Sequence, residues 1–245
     1  MRIRSLTVLI CIAAYLAAAQ TSPQPLTAEQ VVNNLVQRNL QRVAALHAYQ
    51  STRTYRIEYH GFPGSHSAEM VVDVKYRAPF TKEFKIRSES GSKLLAEKVL
   101  RRLLQSEQEA QNDENQIHIA LNNENYKLQL LGTEPSPSGL LYTLFAEPRV
   151  NNKYLFRGKV WVDARDFAVV RMEGAPAKNP SFWIKDTKIE QIYAKVGDFW
   201  LPFSNRSTSA IRLGGTANLT IDYRDYKITN ATPLNSPSEH TSGDQ

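Results

Sequence analysis

The residues with the clearest capacity for metal chemistry are histidines and carboxylates around one predicted loop. His60 and His66 flank the loop Gly61–Ser65, and Glu58 and Glu69 lie close by in the sequence. Imidazole and carboxylate groups bind metals, but zinc motifs place them at helix-turn or hairpin spacings. A six-residue interval across a loop has neither geometry. The sequence therefore predicts no metal site here.

Serines and a pair of aspartates are the remaining candidates for catalysis. Ser65, Ser92 and Ser181 each lie near glycine or proline, but none occupies a strand–Gly-x-Ser-x-Gly–helix elbow. Asp163 and Asp166 flank a polar break between two apolar runs, where aspartate bonds its own backbone. We interpret them as turn formers and not as a general acid–base pair. The chain is predicted to have no catalytic residue and no cofactor, and not to be an enzyme.

The N-terminus has the three-part pattern of a secretory signal peptide. Met1–Arg4 is basic, Leu6–Leu16 is apolar, and Ala17–Ala19 supplies small residues for cleavage. The apolar run is shorter than the roughly 20 residues of a membrane-spanning helix. Cys11 follows Ile10 where a lipoprotein signal has a small residue, so lipid attachment is not predicted. A mature chain without cysteine fits a bacterial envelope, and the sequence predicts a periplasmic protein with residues 1–19 removed.

The charge of the chain gives no indication of nucleic-acid binding. The 245 residues include 30 Lys and Arg and 24 Asp and Glu. Removing Arg2 and Arg4 with the signal peptide leaves 28 basic against 24 acidic side chains. These side chains are scattered along the predicted strands, whereas a nucleic-acid footprint is a basic stripe. No nucleic-acid partner is predicted.

Two amphipathic helices are predicted. Thr27 and Gln30 form a capping box at the start of a helix over Ala28–Ala48. Its apolar stripe predicts packing on another surface. The stripe comprises Val32, Leu35, Val36, Leu40, Val43 and Leu46. Ser92 caps a second helix, whose polar end extends to Asn115.

The rest of the chain alternates as short strands do. Ser51–His60, Glu69–Arg77 and Thr81–Ser88 predict three antiparallel neighbours. Tyr154–Gly174 predicts a long hairpin that turns at Asp163–Asp166. The sequence predicts about ten or eleven antiparallel strands in a mainly β, half-open barrel with both helices over its concave face. The single domain is predicted at residues 27–229, after a flexible leader (20–26) and before a disordered tail (230–245).

A surplus of large apolar residues on the strand faces suggests a cavity. Most of them must be ordinary core, yet a curved sheet covered by two helices has concave surface left over, and such barrel mouths hold ligands. An apolar cavity in a cell envelope points to acyl chains. Alternation alone predicts the residues that line it. They are Leu35, Val36, Leu40 and Val43 of the first helix, and Tyr55, Ile57, Tyr59, Val72, Val74, Phe84, Tyr154, Phe156, Val160 and Val162 of the strands.

The segment from about Leu94 to Ile228 resembles a bacterial family of outer-membrane lipoprotein-sorting proteins, the relatives of the LolA and LolB carriers and of the lipoprotein-sensing RseB domain. The matching runs are Val99–Ala110, Asn123–Glu134, Tyr154–Trp183, Val196–Ser207 and Leu219–Ile228. The resemblance implies a half-open barrel that binds or carries lipid or lipoprotein acyl chains without catalysis. The missing lipid-attachment site favours the soluble carrier type over the LolB type.

Three hypotheses remain open from the sequence. The first is a monomeric periplasmic carrier of lipid or lipoprotein acyl chains that makes peripheral contact with membrane components. The second is an envelope sensor or interaction domain that uses the same fold to bind a regulatory protein. The third is a hydrolase with a dispersed site.

Overall fold

A computed structural model describes residues 26–79, 81–109, 120–152, 154–179, 181–212 and 214–234. The predicted signal peptide, nearly all of the predicted leader and the tail from residue 235 lie outside the described residues.

The described residues form one ten-stranded antiparallel sheet in the order β3-β2-β1-β10-β9-β8-β7-β6-β5-β4. Strands that follow each other in the chain pair with each other, except β3 and β4, and β1 also pairs with β10. The sheet is open, with β3 and β4 as its edges, which confirms the predicted half-open β architecture. The strands are β1 (Leu46–His60), β2 (His66–Arg77), β3 (Thr81–Gly91), β4 (Tyr126–Ser136), β5 (Gly139–Pro148), β6 (Phe156–Asp163), β7 (Val169–Pro176), β8 (Ile184–Val196), β9 (Phe199–Ile211) and β10 (Thr216–Ala231).

The hairpin of β6 and β7 turns where the aspartates predict it. The Asp163 side chain is buried, and its Oδ1 accepts hydrogen bonds from the backbone N–H groups of Arg165 (3.0 Å) and Asp166 (2.8 Å). Phe167 takes a left-handed backbone conformation with φ 46°. The interpretation of Asp163 as a turn former is confirmed.

The first helix, α1 (Ala28–Ala45), starts with the predicted capping box. The Gln30 N–H donates to Thr27 Oγ1 at 3.2 Å, and the Thr27 N–H donates to Gln30 Oε1 at 2.9 Å. Val31, Val32 and Leu35 are buried against the half of the sheet that contains β4–β7. The helix ends at Ala45, three residues before the predicted end, because residues 46–48 pair with β2 and β10.

The second helical region, here named the inserted segment, comprises α2 (Lys93–Leu95), a π-helical turn (Ala96–Leu100) and α3 (Arg101–Glu109). Ser92 caps it as predicted, accepting from the Leu95 N–H at 3.4 Å. Its buried residues Ala96, Leu100 and Leu104 pack on β1 and β2. Each helical region thus covers a different half of the concave face.

An ion pair holds the inserted segment down. Glu107 of α3 lies 2.7 Å from the buried Arg53 of β1 and 2.7 Å from Lys82 of β3. Burial alone would raise the pKa of the Glu107 carboxyl, but Arg53 and Lys82 lower it below its usual value. Removing the Glu107 carboxylate would leave the buried Arg53 charge without this partner.

Two facing glycines let β6 and β7 approach each other unusually closely. Gly158 pairs with Gly174, and a Cβ at either position would lie 2.0 Å from a carbonyl oxygen of the other strand. Glycine inside a strand is typical of such close approaches and of bends in barrels.

We expect Gly158→Ala to lower the free energy of unfolding by about 1–3 kcal/mol, because the backbones must separate to admit the methyl group. Gly64→Ala is the control, since its Cβ would meet no atom within 4 Å. Urea unfolding curves of both variants measure the difference. Equal midpoints for the two variants would contradict the close approach.

Candidate ligand cavity

A cavity of about 410 Å³ lies between α1 and the concave face of the sheet. This volume is within the usual range of small-molecule sites. The α1 side is formed by Leu35, Asn39, Arg42 and Val43, followed by Leu46. The sheet side and its loops contribute Tyr76, Leu121, Tyr126, Tyr154, Phe156, Ala168, Val169, Met172, Tyr193, Phe199, Trp200 and Leu201.

The lining is apolar and extended. Apart from Asn39 and Arg42, every lining residue is aliphatic, aromatic or methionine. The walls reach from Phe156, which pairs with Pro176, to Val169 beside the β6–β7 turn. Val169 and Pro176 are seven residue steps apart along β7, or about 23 Å at the rise of a strand. The shape suits a long apolar chain better than a compact polar metabolite.

Arg42 ties the last turn of α1 to the β6–β7 turn. Its guanidinium donates to the Phe167 carbonyl at 3.2 Å and also to the Asp166 carbonyl. Burial lowers the pKa of Arg42, and the Asp166 carboxylate opposes that effect. The helix that roofs the cavity is therefore fastened at one end by two hydrogen bonds to backbone, which an opening motion would have to break.

The Asp166 carboxylate is a second polar group next to the Arg42 hydrogen bonds. The Asp166 carboxylate accepts from Lys195 Nζ at 2.7 Å and from the indole Nε1 of Trp200 at 2.8 Å. Burial opposes ionisation, but these two hydrogen bonds lower the pKa of Asp166 below its usual value. The hydrogen bond from its indole to Asp166 also orients Trp200, whose ring lines the cavity.

Tyr193 shows how apolar the interior is. Its hydroxyl donates to Met172 Sδ at 3.6 Å, and burial raises its pKa to about 12. A phenol in this setting remains neutral at all physiological pH values. Tyr193 supplies surface to the cavity and no charge.

Four of the predicted cavity residues line the observed cavity: Leu35 and Val43 from α1, and Tyr154 and Phe156 from the start of the hairpin. The structure brings these four together around one space. Their role in ligand binding remains a prediction.

The other predicted residues lie elsewhere in the described structure. Val160 and Val162 are buried directly beneath α1, and Val36 packs beside them. Leu40 is 65% exposed, because helical geometry turns it about 140° away from Leu35. Tyr59 bonds to loop carbonyls at the end of the sheet. The inserted segment covers a further group and fills the space above it. That group is Tyr55, Ile57, Val72, Val74 and Phe84.

Sequence reasoning missed several lining residues. Tyr126 and Val169 alternate like the chosen strand residues and were within reach of the same argument. Arg42 and Tyr193 were not, since their positions follow from the packing of α1 and from a register shift at Ile192–Tyr193 in β8.

The histidine and serine candidates have structural partners. His60 Nδ1 lies 3.1 Å from Ser65 Oγ, and its Nε2 lies 4.0 Å from Glu58. Ser181 Oγ accepts from the Trp183 N–H at 3.3 Å. Among the described residues, no group of three or more His, Cys, Asp or Glu is placed to bind a metal.

Comparisons with known proteins find similarity in structure and none in sequence. No protein-family model matches the chain, and no curated protein matches it by sequence. An outer membrane lipoprotein-sorting protein domain from Vibrio parahaemolyticus covers 83% of this chain and 94% of its own, with 9% identity and a TM-score of 0.41. The LolA superfamily protein NE2245 from Nitrosomonas europaea covers 85% of this chain and 96% of its own, with 11% identity and a TM-score of 0.37. A chain of the MucA/MucB complex of Pseudomonas aeruginosa covers 82% of this chain and 99% of its own, with 9% identity and a TM-score of 0.27.

These similar structures come from the group of proteins that the sequence resembles. At such identities and TM-scores they carry no argument about what this chain binds. None of the helices within the described ranges has both the length and the apolar character to cross a bilayer.

We expect Arg42→Met to speed amide hydrogen exchange in the last turn of α1 by roughly tenfold, since a charged hydrogen bond contributes about 1.5–3 kcal/mol. Arg38→Met is the matched control, because Arg38 bonds to Gln41 on the exposed surface of the same helix. Exchange mapped by mass spectrometry should change in α1 and not in β1–β3. Identical exchange in the two variants would show that Arg42 does not fasten the helix.

The lowered pKa of Asp166 predicts a specific loss of stability in acid. A carboxylate with a depressed folded pKa contributes fully above its unfolded value near 3.9 and loses that contribution as pH falls through the folded value. We expect Asp166→Asn to be less stable than the unmodified protein at pH 7 and to approach it between about pH 4 and pH 2. Urea midpoints across that range measure the difference, and a constant gap would contradict the assignment.

Proposed function

We propose that this protein is a non-enzymatic periplasmic carrier that binds the acyl chains of lipids or lipoproteins in the cavity under α1. The observation that carries the proposal is the apolar lining of an extended cavity that a single tethered helix covers. Sorting of outer-membrane lipoproteins is the process in which such a carrier would act.

The binding energy would come from burial of methylene groups. Each CH₂ transferred from water into an apolar site contributes about 0.8 kcal/mol. The walls offer aliphatic, aromatic and thioether surface. The Met172 side chain is flexible and can adjust its shape to a ligand. Asn39 and Arg42 are the polar lining residues, so the proposed site selects for chain length more than for a particular head group.

Movement of α1 would widen the cavity for entry of a chain. The roof contributes Leu35, Asn39, Arg42 and Val43, and its last turn is held by Arg42. Val31 and Val32, near the other end of α1, are fully buried in the core. We infer that α1 pivots about this buried N-terminal part when the Arg42 bonds break. Release would follow where a recipient buries the acyl chain better than this cavity does.

The experiment is extraction of the purified protein with organic solvent, followed by mass spectrometry, together with binding of a fluorescent fatty acid. We expect bound lipid and a saturable site for one chain. Val169→Trp should weaken fatty-acid binding by about tenfold or more, because the indole displaces at least two methylenes of the ligand.

Val150→Trp is the control, since Val150 is exposed on the β5–β6 loop outside the cavity. Unchanged binding in Val169→Trp would exclude this cavity as the site. An empty cavity with one stoichiometric protein partner would favour the sensor hypothesis instead.

A further inference from the structure

Three large aromatic side chains protrude from loops at one end of the sheet. Phe62 is 87% exposed, Phe182 is 74% exposed and Trp183 is 54% exposed. Phe182 and Trp183 contact each other with ring centroids 5.5 Å apart. Isolated exposed apolar residues need no explanation, but a group of them on adjoining loops marks an interaction surface.

Hydrogen bonds join these loops into one surface. The Tyr59 hydroxyl, at the end of β1, lies within hydrogen-bonding distance of the Phe62 carbonyl (2.9 Å) and of the Gly214 carbonyl (3.2 Å). The Arg212 N–H donates to the Trp183 carbonyl at 2.9 Å. The β1–β2, β9–β10 and β7–β8 loops therefore lie side by side.

The loops of this surface carry cations. Arg212 donates through Nε to the Phe182 carbonyl at 2.6 Å, and its guanidinium lies 5.0 Å from the centre of the Phe182 ring. Lys178 belongs to the same β7–β8 loop. Residues 61–65, 177–183 and 212–215 include no Asp or Glu. The nearest carboxylates along the chain, Glu58 and Asp186, belong to strands. We name Phe62, Phe182, Trp183 and Arg212 the aromatic rim.

We propose that the aromatic rim docks on the surface of an anionic lipid bilayer. Tryptophan and phenylalanine insert at the level of lipid head groups, where their apolar rings leave water. Lys and Arg beside them are attracted to anionic lipids. Protruding loop tips with cations and no carboxylate match that chemistry, whereas a protein partner would need a shaped complementary pocket for each ring.

The aromatic rim is connected to the wall of the cavity. The Ala177 N–H, at the start of the β7–β8 loop, donates to the Leu155 carbonyl at 2.7 Å. Leu155 lies between Tyr154 and Phe156, which line the cavity. Docking would thus hold the protein at the bilayer that supplies or receives the acyl chain, with the Tyr154–Phe156 end of the cavity nearest the lipid and the Arg42 end, where α1 opens, farther from it. This use of the rim rests on the proposed function, while the docking itself stands apart from it.

Sedimentation with vesicles tests the docking. The purified protein is mixed with vesicles of phosphatidylglycerol and phosphatidylethanolamine, and with vesicles of phosphatidylcholine alone. We expect binding to the anionic vesicles that weakens as salt is raised, with a blue shift of tryptophan fluorescence. The double variant Phe182→Ser with Trp183→Ser should reduce the partition constant at least tenfold, since each ring loses its burial.

Phe203→Ser is the matched control. Phe203 is 42% exposed with the Arg224 guanidinium 4.4 Å from its ring centre, but it belongs to β9 and not to the loops of the aromatic rim. We expect it to bind vesicles as the unmodified protein does. Equal loss in the two variants, or no vesicle binding by the unmodified protein, would overturn the proposal.

Fatty-acid binding measured on the same samples separates the two proposals. The double variant with Phe182→Ser and Trp183→Ser should still bind fluorescent fatty acid, because neither substituted residue lines the cavity. A protein that binds vesicles without binding fatty acid would refute the carrier function and leave the docking intact. One that binds fatty acid and never sediments with vesicles would do the reverse.

Discussion

The constraint on which this structure depends is that an open ten-stranded sheet has more concave surface than two helical regions can cover. α1 packs on the β4–β7 half, and the inserted segment packs on the β1–β3 half together with β10. The apolar core is consequently divided into separate clusters. The cavity lies where the C-terminal half of α1 passes over β6–β9 without filling the space beneath it.

A seam of polar side chains runs along β8 and β9, between the two halves. Asn205 donates to Gln191 Oε1 at 2.9 Å, and Thr187 and Ser209 share a buried hydrogen bond of 2.8 Å. The register places Gln191 opposite Met172, so these polar side chains face the same side as the cavity wall. These side chains hydrogen-bond to each other, and an apolar ligand placed over them would gain little binding free energy, because it would bury little apolar protein surface. None of these four side chains lines the cavity, whose walls include Leu46 of β1 and Tyr76 of β2.

Local patterns predicted the elements well because the interactions that define them are local. The Thr27–Gln30 capping box, the Ser92 cap and the Asp163 turn each depend on residues two or three positions apart. The alternation in β6 also identified correctly which side chains face inward. It could not separate Phe156, which lines the cavity, from Val160, which α1 covers completely. That difference depends on where α1, more than 110 residues earlier in the chain, packs on the sheet. No short-range sequence pattern contains that information.

The same limit explains Val72 and Val74, which alternate like cavity residues and are buried beneath the inserted segment. Photo-crosslinking of a diazirine-labelled fatty acid, with the labelled positions mapped by mass spectrometry, tests directly whether an acyl chain binds in this cavity. We expect labels on peptides that contain Met172, Tyr193 and Trp200, and none on those that contain Val72 and Val74. Labels confined to the β1–β3 half, or no saturable labelling, would contradict this expectation.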